Sequence, residues 1–329
     1  MSARAQVAHV VDEALEASVV GSFTRLGYVA RSRLEKWRDP AFVLGRRVVI
    51  TGATSGLGLA AAARLARLGA HVHLVGRSET KLTSARAHVQ LFTSGEVWTH
   101  RCDLSLLNDA RDLARELSAL STPVDALVHN AGALLPAYTE TREGLETTLA
   151  THLLSPYLLT EYLLAHGGLA AHARVITMTS GGMYTERFDL AQLMMTVDAY
   201  RGTTAYARAK RAQCVLTPYW QRAHAASGVS FHLVHPGWAA TPGLTNGIPL
   251  FERAVKPLLR TPDQGADTLV WLVGAPTSEP TGGQLWLDRH PRRLYRLKKT
   301  HLSAPEEFQA GEQLASWCDE RIARALNEA

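Results

Sequence analysis

Seven apolar runs recur along the chain, at 46–51, 71–75, 97–102, 126–130, 174–179, 229–235 and 284–288. Most are continuous rather than alternating, the pattern of parallel strands covered on both faces. Between them, at 57–69, 78–92, 106–120, 142–166, 203–227 and 263–274, apolar residues return every three or four positions, as on amphipathic helices. Strand alternating with helix predicts a single α/β domain built on a doubly wound, parallel, seven-stranded sheet. Ahead of it, Val7, Val10, Val11, Leu15 and Val19, continuing to Phe23 and Leu26, predict an amphipathic helix. That helix either packs on the core or a neighbouring subunit, or lies on a membrane surface or over an apolar substrate. Behind the sheet, Ser303-Ala304-Pro305-Glu306 reads as a capping box with an early proline. It opens a tail helix over 303–327, with Phe308, Leu314, Trp317, Ile322 and Leu326 as its packed face. The expected division is a helical extension at 1–44, a catalytic domain at 45–290 and a basic segment with helix at 291–329.

Charge changes this picture little. The 35 Lys and Arg against 30 Asp and Glu leave a net charge of +5, mostly dispersed. One basic cluster stands out, Arg289, Arg292, Arg293, Arg296, Lys298 and Lys299. It reads as a solvated loop, or as a patch that steers an anionic cofactor or touches acidic lipid. No zinc finger, aromatic RNA motif or basic helix accompanies it, so no nucleic-acid partner is expected. Cys102, Cys214 and Cys318 form neither a disulfide framework nor metal-ligand spacing, so no metal and a reducing, cytoplasmic setting are expected. Glu13 and Glu16 interrupt any apolar stretch at the start, which argues against a signal peptide or a membrane span. Membrane association through 1–30 stays open but is not expected, and a homo-oligomer is compatible with the pattern.

The chemistry begins at Thr51-Gly52-Ala53-Thr54-Ser55-Gly56-Leu57-Gly58, between the run Val48-Val49-Ile50 and an Ala/Leu/Arg helix. Glycines let the backbone turn sharply and approach a phosphate, and the helix points free N–H groups and its positive dipole end at it. Strand, glycine turn and helix together mark a dinucleotide site. Tyr206 and Lys210 stand one helical turn apart, where a cation lowers a phenol's pKa and makes it a usable proton donor and acceptor. Ser180 in Thr179-Ser180-Gly181-Gly182, Asn130-Ala131-Gly132, and Pro236-Gly237-Trp238-Ala239-Ala240-Thr241 all follow apolar runs. All therefore fall at strand carboxyl ends, where an open α/β sheet has its crevice.

With these motifs in this order, residues 45–288 resemble the classical short-chain dehydrogenase/reductase family, a Rossmann fold. Thr179 to Met183, the continuation Arg211-Ala212-Gln213-Cys214-Val215-Leu216-Thr217 after Lys210, and His235-Pro236-Gly237-Trp238 look like the branch holding the retinol dehydrogenases and dehydrogenase/reductase member 12. The resemblance implies that Tyr206 is the general acid/base. Lys210 would tune it and hold the nicotinamide ribose, and Ser180 would bond the substrate oxygen. It further implies that Gly52, Thr54, Ser55, Gly56, Leu57 and Gly58 line the pyrophosphate and that Asp103 and Leu104 border the adenine. Asn130, Ala131 and Gly132 would border the adenosine ribose, and Pro236, Gly237, Trp238 and Thr241 would meet the nicotinamide. Read as isolated residues, Ser180 is a strand-end turn residue and Asp103 a helix N-cap before Leu106.

Two positions depart from the family. His152 stands where the family has an Asn that holds a relay water, and is either a relay residue or a satisfied structural histidine. His129 replaces another Asn at a strand end. The second strand closes Leu74-Val75-Gly76-Arg77-Ser78, with glycine where an NAD enzyme carries a carboxylate for the ribose 2′-hydroxyl. Arg77 next to it suits a 2′-phosphate, so NADP(H) is expected over NAD(H), unless Arg77 stacks on adenine or faces solvent. Met183, Tyr184, Phe188, Met194, Met195, Leu244, Ile248, Leu250 and Phe251, near the crevice, suggest an apolar carbonyl or alcohol substrate of small to medium size, or else simply cover the core or a subunit contact. The rival readings are a non-catalytic NADP(H)-binding redox sensor on the same fold, and a lipid-docking protein with a vestigial site.

Overall fold

The computed structural model describes residues 3–93, 95–247, 249–276 and 280–328. One sheet runs through its centre, with strands in the order β3-β2-β1-β4-β5-β6-β7-β8. They are β1 Arg47–Thr51, β2 His71–Gly76, β3 Val97–Arg101, β4 Val124–His129, β5 Leu169–Met178, β6 Ser230–Val234, β7 Gln284–Leu287 and β8 His290–Arg292. The first seven pair in parallel, and β8 pairs antiparallel with β7. The order reverses between β1 and β4, so a crevice opens above their carboxyl ends.

Three helices precede the sheet, α1 Ala3–Glu16, α2 Val19–Phe23 and α3 Arg25–Glu35. The crossovers carry α4 Gly56–Arg67, α5 Glu79–Gln90, α6 Leu107–Ser118, α7 Thr147–Leu149, α8 Ser155–Ala165 and α9 Gly202–Ala223. The short α10 Pro242–Gly247 and α11 Pro249–Val255 follow β6, then α12 Pro262–Gly274, and α13 Ala304–Glu328 closes the chain. Side chains alternate across the strands, so Val48 and Ile50 pack with α4, α5 and α12, while Val49 faces the opposite core with α6, α8, α9 and α13. On α13, Leu314 and Cys318 are fully buried, and Asp319 accepts a hydrogen bond from Tyr157 Oη at 2.9 Å.

Three features differ from the sequence expectation. The sheet has eight strands, because Asp288 (φ 56°) and Arg289 (φ 61°) both turn left-handed and let Leu287 pair with His290 across a two-residue hairpin. That backbone twist suits a tight hairpin but is usually written with Asn-Gly or Asp-Gly, so the turn was not visible here. The helix expected over 142–166 starts at Thr147 and passes through a π-turn at Ala150–Leu154 before α8. The single amino-terminal helix breaks twice, at Ser18, whose hydroxyl caps Gly21 N–H at 2.8 Å, and again at Thr24.

The amino-terminal helices also dock by an unexpected face. Val7, Val10, Val19, Val20 and Leu26 point outward, each more than 40 % exposed. The inward face is charged. Asp12 takes Arg31 Nε at 2.6 Å and Arg292 at 2.6 and 2.8 Å, and Glu16 pairs with Arg296. Half of the basic cluster is thus held internally, Arg292 and Arg296 in this joint and Arg289 by both oxygens of Asp267 at 2.8 Å, while Arg293, Lys298 and Lys299 are exposed. At its centre Asp288, 1 % exposed, receives Arg31 at 2.8 Å and Arg260 at 2.5 and 2.9 Å.

Removing one member of such a buried set leaves the others charged and dry, which costs about 3–5 kcal/mol. Asp288→Ala should therefore lower the urea unfolding midpoint by that equivalent, while Asp39→Ala, on an exposed pair with Arg64, should change it little. Equal midpoints for the two variants would show that the buried set contributes no more than a surface pair.

Candidate active site

The glycine loop leaves β1 and turns into α4. Gly52 (φ +64°) and Gly56 (φ +55°) hold left-handed backbone, and a Cβ on Gly52 would stand 2.8 Å from Ala131 Cα. Ser55 is the N-cap of α4 and makes no side-chain cap bond, so the first N–H groups of that helix face the crevice without an internal acceptor. This is a cradle that fits a pyrophosphate. Thr241 lies against it, 3.5 Å from where a Gly56 Cβ would be.

The neighbouring residues also make contacts within the protein. Asn130 turns its amide into the loop, donating to Thr51 O at 2.9 Å and Gly52 O at 3.2 Å. Gly58 has to be glycine because a Cβ would stand 2.5 Å from that amide. Leu57 packs toward Gly265 of α12 and Leu104 is buried in the core, so neither offers its side chain to the crevice. The Asp103 carboxylate accepts from Ser105 N at 3.0 Å and Ser105 Oγ at 2.8 Å. It does not cap α6, whose first N–H groups, on Leu107 and Asn108, go to Glu143 at 2.5 and 3.1 Å.

At the end of β2, a Cβ on Gly76 would stand 2.8 Å from Thr54 Cγ2 and 3.3 Å from Leu82. A side chain at this position would therefore have to displace Thr54 and Leu82. Arg77 beside it is exposed, and no carboxylate among the described residues pairs with it.

Across the switch point, Ser180 follows β5 and Tyr206 and Lys210 project from α9. Lys210 Nζ donates to Met178 O at 2.7 Å and lies 5.6 Å from the centre of the Tyr206 ring. Burial pulls the Lys210 pKa down to about 7. Burial raises the Tyr206 phenol's pKa and a hydrogen bond with Ser180 draws it partly back.

His152 joins this group from the π-turn, a device often found at functional sites. Its ring meets Tyr206 edge-on at 5.2 Å. Nε2 lies 3.2 Å from Ala133 N and 3.0 Å from Ala133 O, while Nδ1 is buried without a hydrogen-bond partner among the described residues. Gly132 is glycine because the imidazole fills the space of a Cβ. Burial, then the charge of Lys210, lower the His152 pKa to about 3, so the ring is neutral. Its carbonyl accepts from Gln213 Nε2 at 2.5 Å. His129 is also dry and neutral, and Nε2 meets Thr160 Oγ1 at 2.8 Å.

The third wall is the Pro236–Trp238 turn, where Trp238 packs edge-on to Phe251 at 5.0 Å. Sequence reasoning missed what stands behind it, Phe23 and His235, whose rings stack at 4.2 Å. Phe23 carried no signal beyond its helical spacing. Of the apolar residues near the crevice, Met183, Tyr184 and Phe188 belong to the core. Leu250 and Met194 are exposed and Met195 and Phe251 half-buried. Ile248 and the side chain of Leu244 lie outside the described residues.

Comparison with known proteins agrees with this arrangement. The short chain dehydrogenase family profile matches residues 46–247. The chain is 36% identical over 290 residues to dehydrogenase/reductase SDR family member 12 of Bos taurus, covering 87% of this chain and 90% of that protein. It is 30% identical to retinol dehydrogenase 12 of Bos taurus, covering 81% of this chain and 87% of the relative. A short chain dehydrogenase from Burkholderia cenocepacia J2315, solved in complex with NADP, superposes with a TM-score of 0.61 at 20% identity, over 74% of this chain and 96% of that one. Glycine cradle, Ser180, Tyr206 and Lys210 thus stand in a chain that belongs to the short chain dehydrogenase family, as an NAD(P)-dependent oxidoreductase acting on carbonyl or alcohol groups.

Proposed function

We propose that this oxidoreductase prefers NADP(H) and acts on an apolar substrate of small to medium size, with Ser180, Tyr206 and Lys210 as its catalytic residues. The convergence of those three side chains at the sheet's switch point, opposite the glycine cradle, carries the reading. The bound nicotinamide would supply or take up the hydride. Ser180 Oγ would bond the substrate oxygen and fix the carbonyl. The raised pKa keeps the proton on Tyr206 at neutral pH, the state needed to protonate an oxygen as hydride reaches its carbon. Lys210 would hold the ribose hydroxyls and return the proton through them. A pure sensor would need the cradle but not the three aligned groups. All three cysteines are free and buried, which supports a reducing, cytoplasmic setting. Trp238, Phe251 and Leu250 beside the crevice support an apolar substrate.

Tyr206→Phe removes the transferable proton and leaves the ring. Turnover should fall about a hundred- to a thousandfold with cofactor affinity retained, read by NADPH consumption against a panel of aldehydes and ketones. Near-normal turnover would sink the mechanism.

Cofactor choice is tested by titration. NADPH should bind more tightly than NADH, and Arg77→Ala should narrow the gap by about ten- to a hundredfold, the worth of a charge-assisted contact to the 2′-phosphate. Tighter NADH binding by the wild type would remove the NADP(H) preference and leave the oxidoreductase intact.

His152 is the family departure placed closest to Tyr206. If its ring serves the proton relay, His152→Asn keeps activity and His152→Leu slows turnover about ten- to a hundredfold at unchanged cofactor affinity. An unchanged rate per folded molecule in the Leu variant, with the melting temperature lowered, would assign it to structure alone.

A further inference from the structure

The amino-terminal helices lie outside the profile match, which starts at residue 46, yet one of their side chains stands beside the Pro236–Trp238 turn and near Gly181, the residue after Ser180. Phe23, 3% exposed, ends α2. Its ring lies 4.2 Å from His235, 6.2 Å from Trp238 and 6.2 Å from Tyr184, and the Arg296 guanidinium covers it at 5.0 Å. Its carbonyl accepts the Trp238 N–H at 2.7 Å and Arg260 Nε at 3.1 Å. Arg260 also holds Ser22 O at 2.9 Å and both oxygens of Asp288. Gly237 (φ +71°) lies flat on the same guanidinium, with no room for a Cβ.

His235 completes the contact. Its Nδ1 accepts the Gly237 N–H at 2.9 Å, and burial, then Arg260 and Arg296, pull its pKa to about 3. The ring is therefore neutral with its proton on Nε2, as assigned from that bond. Nε2 has no hydrogen-bond partner among the described residues and lies 3.6 Å from where a Gly181 Cβ would stand, one residue after Ser180. Phe23 Cε2 lies 4.0 Å from the same point. One phenyl ring thus backs the turn after Ser180 and, through His235 and its own carbonyl, the Pro236–Trp238 turn.

We propose that Phe23 is a positioning residue: it sets the Pro236-Gly237-Trp238 turn at the distance the nicotinamide ring requires. The inference rests on the reading above that this turn meets the nicotinamide. It makes the amino-terminal segment a working part of the site. Removing the ring frees His235 to tilt and the turn to move, and small displacements of a positioned group cost rate and affinity steeply. The glycine cradle and Arg77 belong to other elements and stay as they are.

The test compares NADPH with 2′-phospho-ADP-ribose, which lacks only the nicotinamide. Wild type, Phe23→Ala and Phe23→Leu are titrated with both, and melting temperatures are recorded on the same samples. Phe23→Ala should weaken NADPH about tenfold and leave the fragment within about twofold, with the Leu variant between. If the Ala variant does not fold, the same divergence in Phe23→Leu, about threefold, is the expected result. Parallel weakening of both ligands, or of neither, in a folded variant overturns the proposal and leaves the cofactor reading standing. Wild type that binds neither ligand, and neither NADH nor ADP-ribose, overturns the cofactor reading and this proposal together.

Discussion

Asp288 is the point on which the active-site end of the molecule depends. It sits left-handed at the tip of the β7–β8 hairpin, dry, between Arg31 from the amino-terminal helices and Arg260 ahead of α12. A buried carboxylate between two guanidiniums is poor value as net stability, because desolvation consumes most of the attraction. It is effective at fixing geometry, since each wrong arrangement strands a charge. Here the geometry it fixes is triple. It holds a hairpin turn with two positive φ angles, an extension whose outward face is apolar, and the arginine on which Gly237 rests.

The reactive groups follow a similar logic at lower charge. Lys210 lies near two histidines kept neutral by burial, His129 and His152. In that dry setting burial draws the lysine pKa down to about 7 and pushes the phenol up, so the phenol keeps its proton at neutral pH. Local dielectric, more than any single ion pair, sets the protonation states from which the chemistry starts.

The parallel sheet could be read from sequence because its strands are unbroken apolar runs and its turns carry glycine where backbone demands it. Gly52, Gly56 and Gly58 announce a cradle, and Tyr206 and Lys210 announce a shared helix face. Other features depend on contacts far apart in the chain. The eighth strand hangs on Asp288-Arg289, which lacks the glycine of common hairpins and takes its support from Asp267, Arg31 and Arg260. The π-turn at His152 leaves no mark on apolar spacing. Val7 and Val10 of α1 suggested an inward face, but Asp12 and Glu16 found arginines some 280 residues later and took that side beside the half-buried Val11 and Leu15. Period counting weighs apolar residues and cannot see a distant charge that will claim the other side.

That separation shapes the order in which a newly made molecule becomes competent. Arg31 and its partner Asp288 are 257 residues apart in the chain. At ribosomal speeds of roughly 5–20 residues per second the extension waits about 13–50 s for the hairpin that receives it. The glycine loop and its paired strands precede it in the chain, so the phosphate cradle can form before the Pro236–Trp238 turn gains its support from Asp288 through Arg260. The β7–β8 hairpin closes the joint to α1–α3, and an intermediate made only as far as β7 lacks it.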